Sequence, residues 1–200
     1  MIDKFIDKLS RKQILVFFWI FWMLSYGVMG GVNAFRDTYE LSMMVDQFVP
    51  LWTPAVVGYL IFYPFIFLTF VFIKKGDLMK RGLKAFIYVA LITNLFFIFF
   101  PTSMAKPSFE VVSTFDWIVD FLYSADTPAN AFPSQHVAYT ALCSILYSKH
   151  FKGKWLGFLL LFLVITISTM LIKQHYVWDA IAGFLIGLGA YYLAFDKKRV

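Results

Sequence analysis

Residues 51 to 73 read LWTPAVVGYLIFYPFIFLTFVFI and contain no Asp, Glu, Lys or Arg. A hydrocarbon core of roughly 30 Å is crossed by about 20 residues of α-helix, whose backbone hydrogen bonds close internally as lipid requires. This stretch is long enough to span. Five more apolar runs flank it, at residues 13 to 35, 83 to 101, 134 to 148, 155 to 172 and 178 to 195. The first three of the six runs span comfortably, and the last three are shorter and need protein cover at their ends. The expectation is an all-α polytopic membrane protein, one six-helix transmembrane bundle over residues 1 to 200. Composition agrees, since 60% of residues are hydrophobic, 21% aromatic and only 15% charged, which excludes an ordinary soluble domain. The first run follows a basic segment as a signal peptide would. It is about 23 residues long and has no small-residue cleavage pattern after it, so it is read as a helix of the bundle.

The formal net charge of +6 is unevenly placed. Fifteen of eighteen Lys and Arg residues fall in four segments: Lys4, Lys8, Arg11 and Lys12; Lys74, Lys75, Lys80, Arg81 and Lys84; Lys149, Lys152 and Lys154; Lys197, Lys198 and Arg199. Six spans put all four segments on one side, which the positive-inside rule makes cytoplasmic, with both termini inside. The other side receives Asp37, Glu40, Asp46, Glu110, Asp116, Asp120, Asp126 and Asp179, with only Arg36, Lys106 and Lys173 as cations. This basic rim suits anionic headgroups of the bilayer and gives no reason to invoke nucleic acid. A lone Cys143 inside the fourth run leaves no intramolecular disulfide and no cysteine cluster for a metal.

One connection is long. Within residues 102 to 132, Glu110, Ser113, Asp116 or Trp117, Asp120 and Ser124 recur at helical spacing, with Val112, Phe115, Val119 and Leu122 on the other face. That pattern predicts a short amphipathic helix in the outer interface, either packed over the bundle or flooring a lipid entrance. Gly27 with Gly31 and Gly183 with Gly187 place small residues one turn apart and predict close helix packing. Within one bundle they need no dimer to explain them.

Ionisable groups against apolar runs carry most information, because each costs free energy unless paired or hydrated. His150 belongs to the basic connection SKHFKGKW, but His136 and His175 both fall at the outer level. His136 closes the segment Phe132-Pro133-Ser134-Gln135-His136 at the start of the fourth run. Pro133 and Ser134 suit a helix start, and a helix N-terminus is also a preformed anion site. His175 lies in the turn LIKQHYVWDAIAG, four residues before Asp179, so the two share a helix face. The pair can tie down a helix end, or the carboxylate can fix one imidazole nitrogen and leave the other as base or nucleophile. Topology lets His136, His175, Asp179, Lys106 and Lys173 converge. Two imidazoles, a carboxylate, two ammonium groups and a helix N-terminus suit a phosphate ester, and the chemistry requires no metal or other cofactor.

These residues resemble the phosphatidic acid phosphatase type 2 superfamily of membrane lipid phosphatases and phosphotransferases. Pro133, Ser134 and His136 match its Pro-Ser-x-His motif; His175, Asp179, Ala182 and Gly183 match its last motif. Several positions depart from the pattern: Lys106 stands for an arginine, Phe99 for a lysine, Gln135 for the usual glycine, and Thr169 for the arginine after Ser168. With the KQHY turn, these look more like the branch related to inositol phosphorylceramide synthases, where a lipid alcohol replaces water as acceptor. The resemblance implies that His175 is a nucleophile forming a phosphohistidine, Asp179 its orienting partner and His136 the general acid. It implies that Lys106, Ser134 and Lys173, with main-chain amides at Gln135 and His136, bind phosphate. The implied protein is a multi-pass cell-membrane lipid phosphatase working at the outer face. Its substrate would be a lipid phosphate such as phosphatidate, phosphatidylglycerol phosphate or an isoprenoid pyrophosphate. Headgroup transfer to another alcohol, and a non-catalytic membrane protein, are the alternatives.

Overall fold

The structure, a computed structural model, describes residues 2–33, 35–74, 76–126 and 129–196, with Tyr26 by its backbone alone. Of the cations assigned to the basic rim, Lys75, Lys197, Lys198 and Arg199 lie outside the described residues. The helices are α1 (Ile2–Ile6), α2 (Arg11–Asn33), α3 (Val56–Leu60), α4 (Phe62–Phe72), α5 (Gly76–Phe99), α6 (Thr114–Ala125), α7 (Gln135–His150), α8 (Trp155–Leu171) and α9 (Val177–Phe195). A 3-10 turn at Thr53–Ala55 leads into α3, and α3 and α4 continue one another across Ile61. Pro64 explains the break: it lacks the N–H that would bond the carbonyl of Leu60.

Among the described residues, four segments are long and apolar enough to cross a membrane: α2, the rod Thr53–Phe72, α5 and α9. The sequence reading expected six. Helix α8 is apolar but has only 17 residues, and α7 has 16, so each is about 25 Å long. Helix α7 is the centre of the bundle, packed by α4, α5, α8 and α9. Gln135, His136, Thr140 and Ser144 on it are all buried. A helix wrapped by protein has no need of a lipid-compatible surface, so α7 is less apolar than its neighbours. The peripheral helices show the converse, with Ile20, Leu24, Leu160, Leu163 and Leu185 all exposed. Such side chains suit contact with lipid tails.

Packing is tightest where aromatic rings and glycines meet. Phe18 stands edge-on to Phe70 at 4.9 Å and to Phe86 at 4.8 Å, and Phe86 stacks on Tyr139 at 5.0 Å, joining α2, α4, α5 and α7. Each such pair contributes about 0.5–1.5 kcal/mol beyond its buried area. Gly183 and Gly187 bring α9 against α7: a Cβ at either would run into the backbone carbonyl of Ser134 or of Ala138. Gly27 and Gly31 differ from expectation. Nothing lies within 4 Å of where a Cβ would stand, because they sit on the exposed side of α2, away from the bundle.

The outer connection contains the expected helix, α6, capped by Ser113, whose hydroxyl accepts from the Asp116 N–H. Ser113, Trp117, Asp120 and Ser124 lie on its exposed face as expected, but Asp116 turns inward and Phe115 outward. Asp116 is buried, accepting from the Thr53 hydroxyl at 2.6 Å, and that bond and those from Ser113 hold its carboxyl below the usual range. Phe115 is exposed, as are Trp117 and Phe121. The buried polar anchor at Thr53 decided the orientation, which periodicity alone does not encode. A second feature was not expected: β1 (Tyr39–Glu40) and β2 (Thr102–Ser103) form a two-residue parallel ladder, and Thr102 also bridges to Asn130.

The bundle has two unlike ends. At one, Lys84 meets Asp3 at 2.6 Å, Lys80 meets Asp7 at 3.1 Å, and Arg81 lies over the Phe195 ring. The N-termini of α7 and α9 are at the other end, together with the β1–β2 ladder.

Candidate active site

Three backbone devices build that second end. Ser134 caps α7, its hydroxyl oxygen accepting from the Val137 N–H at 3.2 Å while its own N–H donates to the Asp179 carbonyl at 3.0 Å. That bond ties the start of α7 to the start of α9. Asp179 accepts from the Tyr176 N–H at 2.8 Å, and Asp46 accepts from the Val177 N–H at 2.9 Å, so two carboxylates hold the first turn of α9, where negative charge is favourable. Lastly Thr102 clamps the chain before α7: its carbonyl accepts from the Ala131 N–H at 3.0 Å and its hydroxyl oxygen accepts from the Phe132 N–H at 2.7 Å. The Ala131 carbonyl is thereby aimed.

These devices bring His136 and His175 together. His136 Nδ1 and His175 Nε2 are 3.2 Å apart, and both residues are buried. His175 Nδ1 is 3.0 Å from the Ala131 carbonyl oxygen. A carbonyl can only accept, so His175 Nδ1 carries a proton, and in the neutral ring Nε2 carries the lone pair. His136 Nδ1–H then donates to that lone pair, and His136 Nε2 accepts from the Tyr59 hydroxyl at 2.9 Å. One directed chain results: Tyr59 to His136 to His175 to Ala131.

Asp179 faces His175 as expected, but at a longer distance than Ala131. Its Oδ2 is 3.5 Å from His175 Nδ1, while the short bond on Nδ1 belongs to Ala131. The capping bond from Tyr176 draws the carboxylate back along α9. Asp179 therefore supplies negative charge beside the imidazole, and its buried Oδ1 has no hydrogen-bond donor among the described residues. Tyr176 adds a further tie, its hydroxyl donating to the Glu40 carboxylate.

The two lysines do not reach the imidazole pair. Lys173, in a left-handed conformation at φ 52°, donates to the carbonyls of Asp46 and Val49. Lys106 stands 4.0 Å from an Asp126 oxygen and over the Tyr123 ring, and its ammonium has no hydrogen-bond acceptor among the described residues. Burial lowers its pKa, with partial relief from Asp126. Gln135, buried beside His136, donates its side-chain amide to Thr93 at 2.6 Å and to Asn94 at 3.2 Å. The backbone N–H groups of Gln135 and His136, the first of α7, find no acceptor among the described residues. His150 lies at the far end of the same helix.

Sequence reasoning missed Tyr59, Thr102 and the Ala131 carbonyl. Tyr59 and Tyr63, four residues apart in an otherwise apolar span, were the available signal. Their hydroxyls lie 3.4 Å apart. A cavity of about 100 Å³ adjoins His136, lined by Trp22, Phe62, Tyr63, Gln135 and His136. A larger cavity, about 680 Å³, lies at the opposite end among Asp3, Lys80, Arg81 and Lys84; it contains no imidazole and is remote from this chemistry.

A family model described as the PAP2 superfamily matches residues 57–193, a range that includes Tyr59, both histidines and Asp179. The chain belongs to the PAP2 superfamily. No curated protein and no solved structure matches it. PAP2 membership points to phosphatase-type chemistry on a lipid phosphate, and the apolar helices agree with a membrane protein.

Proposed function

We propose that this PAP2 protein is a membrane lipid phosphatase that hydrolyses a lipid phosphate ester through a phosphohistidine on His175. One observation carries the reading: the Ala131 carbonyl holds the proton on His175 Nδ1, which leaves Nε2 as a nucleophilic lone pair directed at His136. A phosphoryl group cannot sit between two nitrogens 3.2 Å apart, so substrate entry separates the rings. His136 first takes the proton of the phosphate monoanion; Nε2 of His175 then forms the P–N bond as the P–O ester bond breaks, and His136 passes that proton to the alkoxide. Water next attacks phosphorus, the P–N bond breaks, and His136 takes a proton from that water. Free phosphate leaves.

In this scheme the N–H groups of Gln135 and His136, the Ser134 hydroxyl proton and the Lys106 ammonium hold the phosphate oxygens. Lys173, occupied by carbonyls 46 and 49, shapes the turn that presents His175. The site would face outward across a six-span bundle in which α7 and α8 also cross. The far end, with Lys80, Arg81 and Lys84, suits the cytoplasmic side. The test is purified protein in detergent with a chelator, assayed on phosphatidate and other lipid phosphates, with acid-labile phosphoprotein trapped at early times. Absence of both free phosphate and phosphoprotein on every lipid phosphate would sink the proposal.

Two variants probe its supports. A tyrosine hydroxyl donates to neutral His136 and accepts from its protonated form, so Tyr59 can hold the ring through the whole cycle. Tyr59→Phe is expected to lower kcat about tenfold, with KM little changed and the pH profile of kcat displaced. An unchanged profile would make Tyr59 merely a packing residue. For Lys106 the sign follows from its depressed pKa. Below that folded-state value the protein carries the cost of a buried ammonium, and stability rises as pH climbs from it towards the unfolded value near 10.5. Lys106→Met should therefore raise Tm at pH 7, by an amount that shrinks towards pH 10, while KM rises about tenfold. A Tm gain with KM unchanged would remove Lys106 from the phosphate site.

A further inference from the structure

Gln135 stands one residue before His136, and its side-chain NH₂ is turned towards α5. The Thr93 hydroxyl gives its only proton to a backbone carbonyl of its own helix, Val89 at 2.9 Å or Ala90 at 3.3 Å. With that proton so placed its oxygen is an acceptor, and the Gln135 NH₂ donates to it at 2.6 Å. Asn94 Oδ1, 3.2 Å from the same nitrogen, agrees, and Asn94 is itself held by Ser25 at 2.6 Å. Three helices thus lock the amide by its donor end. The carbonyl oxygen has no donor among the described residues and is not enclosed as an orphan, and Gln135 lines the cavity of about 100 Å³ next to His136.

That cavity lies between α2, α4 and α7. Trp22, Phe62 and Tyr63 supply aromatic walls, and Tyr63 is 39% exposed on the flank of the bundle. The volume is about three times a water's share of liquid, room for a few heavy atoms on a chain entering from the side. Inside an apolar wall, an acceptor fixed in place selects a donor, because it goes unpaired beside anything else.

We propose that Gln135 is a specificity-determining residue whose carbonyl oxygen accepts a hydrogen bond from an aliphatic hydroxyl of a lipid bound in this cavity beside His136. The inference rests on the phosphatase reading above and extends it. The hydroxyl can belong to the phosphorylated lipid itself, near its ester oxygen, or to a second lipid alcohol. In that second case the alcohol takes the phosphoryl group from His175: its oxygen forms the new P–O bond, the P–N bond breaks, and its proton passes to His136.

The test compares wild type with Gln135→Met, which keeps the length of the side chain and removes the acceptor. The first arm measures hydrolysis of a lysophosphatidate, which has a hydroxyl next to the phosphate-bearing carbon, against an alkyl phosphate of like length without one. A hydroxyl on the substrate predicts that the ratio of their kcat/KM values falls about tenfold in Gln135→Met. The second arm adds a monoacylglycerol to the alkyl phosphate reaction and measures phosphorylated monoacylglycerol against free phosphate. A hydroxyl on an acceptor predicts that this product ratio falls about tenfold. A third arm needs no turnover: a photoreactive monoacylglycerol should label Trp22, Phe62 or Tyr63 about tenfold less in Gln135→Met, whereas a photoreactive alkane should label both proteins alike. Wild type that is labelled but inactive on every lipid phosphate overturns the phosphatase reading and leaves the hydroxyl subsite standing. Equal labelling of the two proteins, with both ratios unchanged, overturns the subsite and leaves Gln135 as a tie between α5 and α7.

Discussion

His175→Ala is expected to lower phosphate release from a lipid phosphate by at least about 10⁴-fold and to abolish acid-labile phosphoprotein, without comparable loss of folded protein. The size follows from what the residue does in the proposed cycle, since removing a covalent nucleophile leaves only binding and electrostatics behind. His136→Ala offers the diagnostic contrast. An alkoxide needs a proton to leave, while p-nitrophenolate leaves without one. His136→Ala should therefore lose several orders of magnitude on a lipid phosphate and far less on p-nitrophenyl phosphate; His175→Ala should lose both. Asp179→Asn keeps an oxygen to accept from the Tyr176 N–H but removes the charge 3.5 Å from His175 Nδ1. With Ala131 still fixing the tautomer, its loss should be milder, about 10²-fold. Metal-dependent turnover that persists in His175→Ala would overturn the mechanism, and so would a His136→Ala loss that is independent of leaving group.

The helical, membrane-adapted character was legible in the apolar runs, because a bilayer imposes a length and a composition on whatever crosses it. His136, His175 and Asp179 were legible as well. In so apolar a chain, ionisable residues at helix ends stand out, and charge bias assigned all three to one level. The structure adds detail that side-chain identity does not encode. The partner of His175 Nδ1 is the carbonyl of Ala131, a backbone atom aimed by Thr102. The short polar run of α7 reads as a weak span because its cover comes from other helices. Lys106 and Lys173 show the converse: their charge was visible, but where each side chain rests depends on a ring and two carbonyls supplied by distant segments. Gln135 looked like a departure from the family motif without a reason. Its lock on Thr93 supplies one.

Gly183→Ala is expected to cost about 1–3 kcal/mol of stability and about 10² in activity, although alanine favours a helix by up to about 1 kcal/mol over glycine. The added Cβ would meet the Ser134 carbonyl, with Val137 Cβ at 3.2 Å and the Ala138 N at 3.3 Å. The obstacle is backbone, so trimming Val137 to alanine should not rescue it. Ser134 is also the residue whose N–H bonds the Asp179 carbonyl at 3.0 Å. Pushing α9 from α7 therefore strains the tie that holds His175 against His136, and a displacement of about 1 Å suffices to spoil attack geometry. Gly189→Ala, on the same helix with nothing within 4 Å of its Cβ position, separates packing from helix propensity: it should hold or raise Tm and leave turnover intact. Thermal unfolding in detergent and steady-state phosphate release check both. Equal behaviour of the two variants would mean that the α7–α9 contact tolerates a methyl group, and that the alignment of the two histidines does not depend on it.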